Sequence, residues 1–128
     1  MILVDSDILI AHLRGISEAM NWFERARRQT GPLAISVVSV LEVAGGMRSS
    51  ECREVTRFLS SLRTFVVTEQ IAWKASELMR IHRRSHSGIG FADYLVAATA
   101  IVKGCELATI NVRHFPMFDG LVSPFQLN

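Results

Sequence analysis

The sequence lacks a long apolar run, has few cysteines and almost no lysine, and each shortage removes a class of protein. A bilayer-spanning helix needs roughly 18 to 20 consecutive apolar residues, and Glu42 and Asp93 interrupt the two best candidate stretches. No membrane span is expected. The opening Met1-Ile2-Leu3-Val4-Asp5 carries no basic leader and no small-residue cleavage site, so it reads as a first strand rather than a signal peptide, and the cytoplasm is the expected compartment. Only two cysteines occur, Cys52 and Cys105, far apart and without metal-type spacing; this excludes zinc held by cysteine and fits reduced thiols better than a disulfide framework. Charge of one sign is lacking as well. The 14 basic and 12 acidic residues leave a net +2, too little to identify a polyanionic partner. Twelve of the cations are arginine, the side chain best shaped for phosphate, although genome base composition can produce the same bias.

What remains is an ordinary globular balance, 49% hydrophobic and 20% charged over 128 residues, enough for one continuous core but not for two. With no internal repeat, low-complexity segment or linker, residues 1–128 read as a single domain. Ile2 to Val4 is an apolar strand ended by Asp5-Ser6-Asp7, whose short oxygens favour caps and turns. A short helix follows over Asp7 to Leu13, Gly15 breaks it, and Ile16 to Gln29 is amphipathic. Leu33 to Ile35 reads as a second strand, and Val37 to Met47 as a helix apolar nearly all round, hence buried, with Glu42 its only charge. A helix from about Ser50 to Leu62, a β-branched strand at Phe65 to Val67 and a long helix from Glu69 into the basic run Arg80 to Arg84 come next. Phe91 to Val102 is another largely apolar helix, closed by Gly104 and followed by a strand over Glu106 to Ile110; the tail offers an edge strand near Leu121-Val122. Strands separated by helices imply parallel pairing through right-handed crossovers. The expected class is α/β, a three-layer α/β/α sandwich with a mainly parallel central sheet.

In such a sheet every strand ends at one edge, and each helix that leads into a strand begins at that edge. This topology gathers Asp5, after the first strand, Glu42, after the second, Asp93, opening the helix before the last strand, and Asn111, after that strand, where open α/β sheets put their sites. The acids sit in MILVDSDILI, LAISVVSVLEVAGGM and GFADYLVAATAIV, segments without a single cation. A buried unpaired carboxylate costs several kcal/mol or shifts its pKa until it is neutral, and three together repel one another. A hard divalent cation with oxygen ligands, magnesium or manganese, supplies the missing charge; it can activate water and polarise a phosphoryl oxygen, which is phosphodiester hydrolysis without a covalent intermediate. Each acid also has a plainer role. Asp5 or Asp7 can cap a helix, Ser39-x-x-Glu42 is a capping-box pattern, and Asp93 suits a helix first turn; for Asp7 the cap is the preferred reading.

The blocks Leu3-Val4-Asp5-Ser6-Asp7-Ile8-Leu9-Ile10, Ser39-Val40-Leu41-Glu42-Val43, Ala92-Asp93-Tyr94-Leu95-Val96-Ala97-Ala98-Thr99-Ala100 and Ala108-Thr109-Ile110-Asn111-Val112-Arg113-His114-Phe115 resemble those of PIN-domain proteins, in particular the VapC-type toxins, in order and spacing along the whole chain. The resemblance implies a magnesium- or manganese-dependent endoribonuclease, the toxin of a type II toxin–antitoxin pair, acting on RNA as a homodimer with a cognate antitoxin covering the active-site groove. It makes Asp5 and Asp93 the principal metal ligands and Glu42 a third acid, ligating directly or through water. Asn111 stands where many relatives have a fourth acid and His114 where an aspartate is common, which leaves a second metal ion in doubt. Asp7 falls where relatives carry serine or asparagine. Asn111, Thr109, Ser6 and Arg113 are then candidate contacts to substrate or to metal-bound water.

Other reactive types carry less. His12, His82, His86 and His114 show no metal spacing on an evident shared face, and His82 and His86 belong to a solvated basic face. Trp22, Trp73, Phe58 and Phe65 read as core or dimer contacts. Two rival functions stay open: a phosphatase of the haloacid-dehalogenase type, suggested by Asp5-Ser6-Asp7 but lacking the threonine expected where Leu9 stands, and a nonenzymatic RNA- or protein-binding module in which Asn111 marks a decayed site.

Overall fold

A computed structural model describes residues 1–127. At its centre four short strands, β1 (Ile2–Val4), β2 (Ala34–Ser36), β3 (Arg63–Phe65) and β4 (Glu106–Ala108), pair in parallel in the order β3-β2-β1-β4. Six helices cover them: α1 (Ser6–Leu13), α2 (Ser17–Thr30), α3 (Val37–Ala44), α4 (Cys52–Ser60), α5 (Glu69–His82) and α6 (Phe91–Lys103). Parallel strands cannot be joined by hairpins, so each connection crosses a face of the sheet. From β1 through β2 to β3 the chain steps one way along the sheet, with α1 to α4 on one face. From β3 to β4 it steps back across the whole sheet, with α5 and α6 on the other. Right-handed crossovers require that change of face when the direction reverses.

The alternation of side chains along the strands feeds both layers. Leu3, Ala34 and Leu107 join Ile71, Ala75, Leu78 and Val96 under α5 and α6. Val4, Ile35 and Ala108 join Ile8, Leu9, Phe23, Val43 and Leu59 on the opposite side. The three-layer sandwich expected from the sequence is the fold observed. No helix is long and apolar enough to cross a membrane among the described residues.

Three local expectations are corrected. The third strand lies at Arg63–Phe65, two residues earlier than Phe65 to Val67, because its register pairs Arg63, Thr64 and Phe65 with Ala34, Ile35 and Ser36; beyond that partner Val67 turns onto the core and Val66 points to solvent. No strand forms at Leu121-Val122: Gly120 takes a positive φ, and the Ser123 hydroxyl closes a turn on the Phe125 carbonyl next to Pro124, which has no N–H for a ladder. Helix α3 is not buried all round. It buries Ser39 and Val43 and leaves Leu41 74% exposed, because it packs by one stripe only. Of the two readings given for Trp73, core or dimer contact, its 67% exposure leaves only the second.

Helix starts follow their caps. The Ser36 hydroxyl accepts from Val38 N at 3.1 Å and opens α3, so Ser39 falls inside the helix, with its hydroxyl buried and unpartnered, and forms no capping box with Glu42. After β4 the chain makes a 3₁₀ turn, Val112–His114, which Phe115, 1% exposed, pins to the core. Phe115→Ala is expected to lower the unfolding free energy by about 3–5 kcal/mol, and Trp73→Ala by less than about 1 kcal/mol, in urea titrations; similar losses at both positions would contradict this account of the core.

Candidate active site

The β1–β4 register builds the centre of the site. Val4 pairs with Ala108, and the ladder runs one residue further through the Asp5 N–H, which donates to the Ala108 carbonyl at 2.9 Å. Asp5 is thereby set beside Thr109. The Thr109 hydroxyl donates to Asp5 Oδ2 at 2.8 Å, and Ser6 N donates to Asp5 Oδ1 at 2.9 Å, so Asp5 both ends the strand and caps α1. Asp7 does not cap that helix, contrary to the sequence reading. Its Oδ2 accepts from Ile110 N and Asn111 N, each at 2.9 Å, and lies 3.1 Å from the Thr109 hydroxyl. Asp7 therefore ties the start of α1 to the turn that follows β4.

Asp93 arrives from the other face. As the third residue of α6 it closes the helix entry, its Oδ2 accepting from Gly90 N at 3.0 Å, which is the plain first-turn role foreseen for it. The same oxygen lies 3.2 Å from Nδ1 of His114. Residues 109–114 thus touch all three aspartates in turn: Thr109 holds Asp5, the backbone of Ile110 and Asn111 holds Asp7, and His114 holds Asp93. Sequence reasoning missed the tie made by Asp7 and the contact made by His114. The spacing of both residues from the ends of β1 and β4 was the available signal.

Electrostatics single out Asp5. It is 5% exposed, and its pKa is pushed up to about 7, first by burial, then by the charge of Asp7 and, more weakly, by that of Asp93; the bonds from Thr109 and Ser6 pull the other way. Among the described residues no lysine, arginine or histidine nitrogen comes within ion-pair distance of Asp5 or Asp7, and Asp7 Oδ1 is buried without a donor. The centre is rich in hard oxygen donors and short of positive charge, a chemistry that fits magnesium or manganese. Among the described residues no three histidine, cysteine, aspartate or glutamate side chains form a metal-holding group. A magnesium ion commonly uses only one or two carboxylates and keeps several waters, so a three-acid cluster is not a requirement for such an ion.

The remaining candidates lie further out. Glu42 is exposed, lines a groove with Ile10, Leu13, Arg14 and Met47, and contributes nothing to the Asp5 shift. Ser6 gives its backbone N–H to Asp5. Asn111 and Arg113 are exposed beside the Asp7-bound turn. His12 stacks on Phe58 at 4.3 Å, and burial, then the Arg27 charge, lowers its pKa; it belongs to the aromatic packing between α1, α2 and α4.

The raised pKa fixes a sign for stability. Between about 4 and about 7 the folded, metal-free protein binds a proton at Asp5 that the unfolded chain has released, so stability falls as pH rises through this window and is level above it. In EDTA, the unfolding free energy of the wild type from urea titrations is expected to drop relative to that of Asp5→Asn from pH 4 to pH 7, by an amount on the order of 4 kcal/mol. Parallel profiles for the two proteins would contradict the buried charge.

Comparison with known proteins places this arrangement. The PIN domain family profile matches residues 2–118. Over 125 residues the chain is 59% identical to Ribonuclease VapC10 of Mycobacterium tuberculosis, covering 98% of this chain and 93% of that protein. It is 41% identical over 125 residues to Ribonuclease VapC19 of the same organism, covering 98% and 100%. A chain of a solved toxin–antitoxin complex from Klebsiella pneumoniae superposes with a TM-score of 0.78 at 28% identity, covering 99% of this chain and 100% of that one. With its parallel sheet and its paired aspartates at the carboxyl edge, the chain belongs to the PIN-domain family and, within it, to the VapC-type ribonucleases.

Proposed function

We propose that the protein is a magnesium- or manganese-dependent endoribonuclease, a single domain acting in the cytoplasm as the toxin of a toxin–antitoxin pair. The observation that carries the catalytic reading is Asp5, buried beside Asp7 and within the field of Asp93 with no cationic side chain to answer it. The similarity to proteins named Ribonuclease VapC10 and Ribonuclease VapC19 supports the substrate class. The likeness to a chain of a toxin–antitoxin complex supports a cognate antitoxin, seated over the groove, as partner. A homodimer is the proposed assembly.

In this reading Asp5 and Asp93 would hold a divalent cation, whose chemistry there would be to lower the pKa of a bound water and to polarise a phosphoryl oxygen. Thr109 fixes the Asp5 carboxylate by its hydroxyl, and Asp7 fixes Thr109 together with the turn after it. His114 restrains Asp93. With an amide at Asn111 and an imidazole at His114, the centre carries two fewer negative charges than two acids there would supply, which favours one cation over two. Asn111 and the Ser6 hydroxyl contact the scissile phosphate or a water beside it, Arg113 meets a neighbouring phosphate, and Glu42 acts from the α1–α3 groove through water. The phosphatase alternative assigns proton transfer to Asp7, whose Oδ2 is already engaged with the Thr109 hydroxyl and two backbone N–H groups.

Purified protein incubated with RNA is expected to cleave in magnesium or manganese and to stop in EDTA. Asp5→Asn and Asp93→Asn should each reduce cleavage at least about 100-fold, and Glu42→Gln about 10-fold, with unchanged circular dichroism. Cleavage that survives both aspartate substitutions belongs to a contaminant; a protein that binds RNA but never cuts it is a binding module, and the enzymatic reading fails. His114→Ala should weaken manganese binding about 10-fold by calorimetry, with His114→Asn retaining most of it; equal affinities would remove His114 from the site.

A further inference from the structure

The acidic centre described above repels the very polymer it is proposed to cut, and the chain concentrates positive charge next to it. Between Leu78 and Ala92 lie three of the 14 cationic side chains, Arg80, Arg83 and Arg84, and none of the 12 acids. Without that segment the rest of the chain has a net charge of −1. The three arginines are exposed, and among the described residues none has an acidic partner within ion-pair distance; the nearest acid in sequence, Glu77, is engaged by Lys74.

Their place in the fold follows from the connection between α5 and α6. Arg80 is in the last turn of α5, and Arg83 is its C-cap. The link to α6 is folded on itself, with His86 N donating to the His82 carbonyl at 2.8 Å and Ile89 N to the His86 carbonyl at 3.4 Å, so it does not reach across the molecule. Its last residue, Gly90, binds Asp93 Oδ2. The end of α5 therefore stands beside the start of α6, and the field of Arg83 is felt at Tyr94, the residue after Asp93. On the opposite flank Arg113, also exposed and unpaired, precedes the His114 that contacts Asp93. Arg83 thus stands near the start of α6 that carries Asp93, Arg113 lies in the turn after β4, and Arg80 extends the basic side along α5, where it lines a groove with Trp73, Lys74 and Ile101.

We propose that the elbow between α5 and α6, through Arg80, Arg83 and Arg84, binds the phosphates of single-stranded RNA flanking the cleaved bond, while Arg113 holds the strand on the other side of the centre. The inference rests on the ribonuclease reading and adds a substrate track to it. The chemistry is that of phosphate contacts, which position a strand without reading its bases. The elbow therefore supplies affinity, whereas the choice of sequence is made elsewhere in the groove. The other polyanion such a surface could meet is an acidic segment of a partner protein; the uncut strand on either side of the aspartates makes RNA the occupant favoured by charge.

The test compares the full chain with an Arg80→Gln/Arg83→Gln/Arg84→Gln variant. Each is made also in an Asp93→Asn background so that a fluorescein-labelled 20-nucleotide single-stranded RNA can be titrated without cleavage, in manganese, at several salt concentrations. Each lost phosphate contact on a single strand reduces the slope of log K against log salt by about 0.7, so the triple variant is expected to lose about 2 from the slope and to bind at least about 10-fold more weakly at 100 mM salt. In the Asp93 forms the RNA KM should rise by a similar factor with kcat within about twofold, and manganese affinity and Tm should be unchanged. Equal affinity and equal slope overturn the proposal. So does a lowered Tm with intact RNA binding, which would make the arginines partners of the α5 C-terminus, and so does a loss confined to binding of a copurifying acidic protein. If the full chain itself neither binds nor cuts RNA in manganese, the ribonuclease reading fails first; if it cuts normally and only the triple variant is indifferent, this inference alone fails.

Discussion

Asp5 is a carboxylate placed where the chain supplies hydrogen-bond donors and no positive charge. One N–H and one hydroxyl orient it, which is enough to fix its position but not to hold its charge, as its raised pKa records. Everything around it is arranged to keep it there. The β1–β4 ladder places it opposite Thr109, Asp7 locks the turn that carries Thr109 onward, and Phe115 anchors that turn to the core beneath α5 and α6. Asp7 locks that turn with one oxygen, but its charge adds to the burden on Asp5, and its other oxygen is buried without a partner. The arrangement leaves negative charge at the carboxyl edge of the sheet with no cationic side chain in ion-pair contact with Asp5 or Asp7 among the described residues.

Local structure and chemistry share the same atoms. Asp5 caps α1, and Asp93 closes the first turn of α6, so the plainer roles available to these residues are filled, and they leave acceptor positions free for the proposed ones. A carboxylate has roughly four acceptor positions. A cap uses one of them, and the helix dipole welcomes the negative charge. Helix starts at the carboxyl edge of a parallel sheet therefore give acidic residues positions that cost the fold little, and two such starts, one on each face of the sheet, bring Asp5 and Asp93 within each other's field.

The layered fold was legible because the strands are apolar and separated by helices, which leaves parallel pairing as the only way to bury them. The placement of Asp5 and Asp93 within each other's field was legible because both interrupt apolar segments at helix starts on one edge of the sheet. What the sequence did not reveal follows from interactions between distant segments. The start of β3 is set by pairing with Ala34 to Ser36 and not by the β-branched residues around it. The outer face of α3 stays exposed because no element follows to cover Leu41. Asp7 looked like a cap because helix entries attract aspartate, and only the β1–β4 register shows that its acceptors serve a turn more than a hundred residues away in sequence. Glu42 remains the least anchored of the candidate residues: its apolar neighbours suggested burial, yet it faces an open groove beside Arg14.

The most direct test of the account is to locate manganese by its anomalous scattering in crystals of the protein grown without partner and soaked in manganese at pH 8, where Asp5 is ionised. The account predicts one strong peak per chain within about 2.1 Å of carboxylate oxygens of both Asp5 and Asp93. A map with no peak at that edge, or with manganese bound elsewhere while the two carboxylates stay apart, would contradict it.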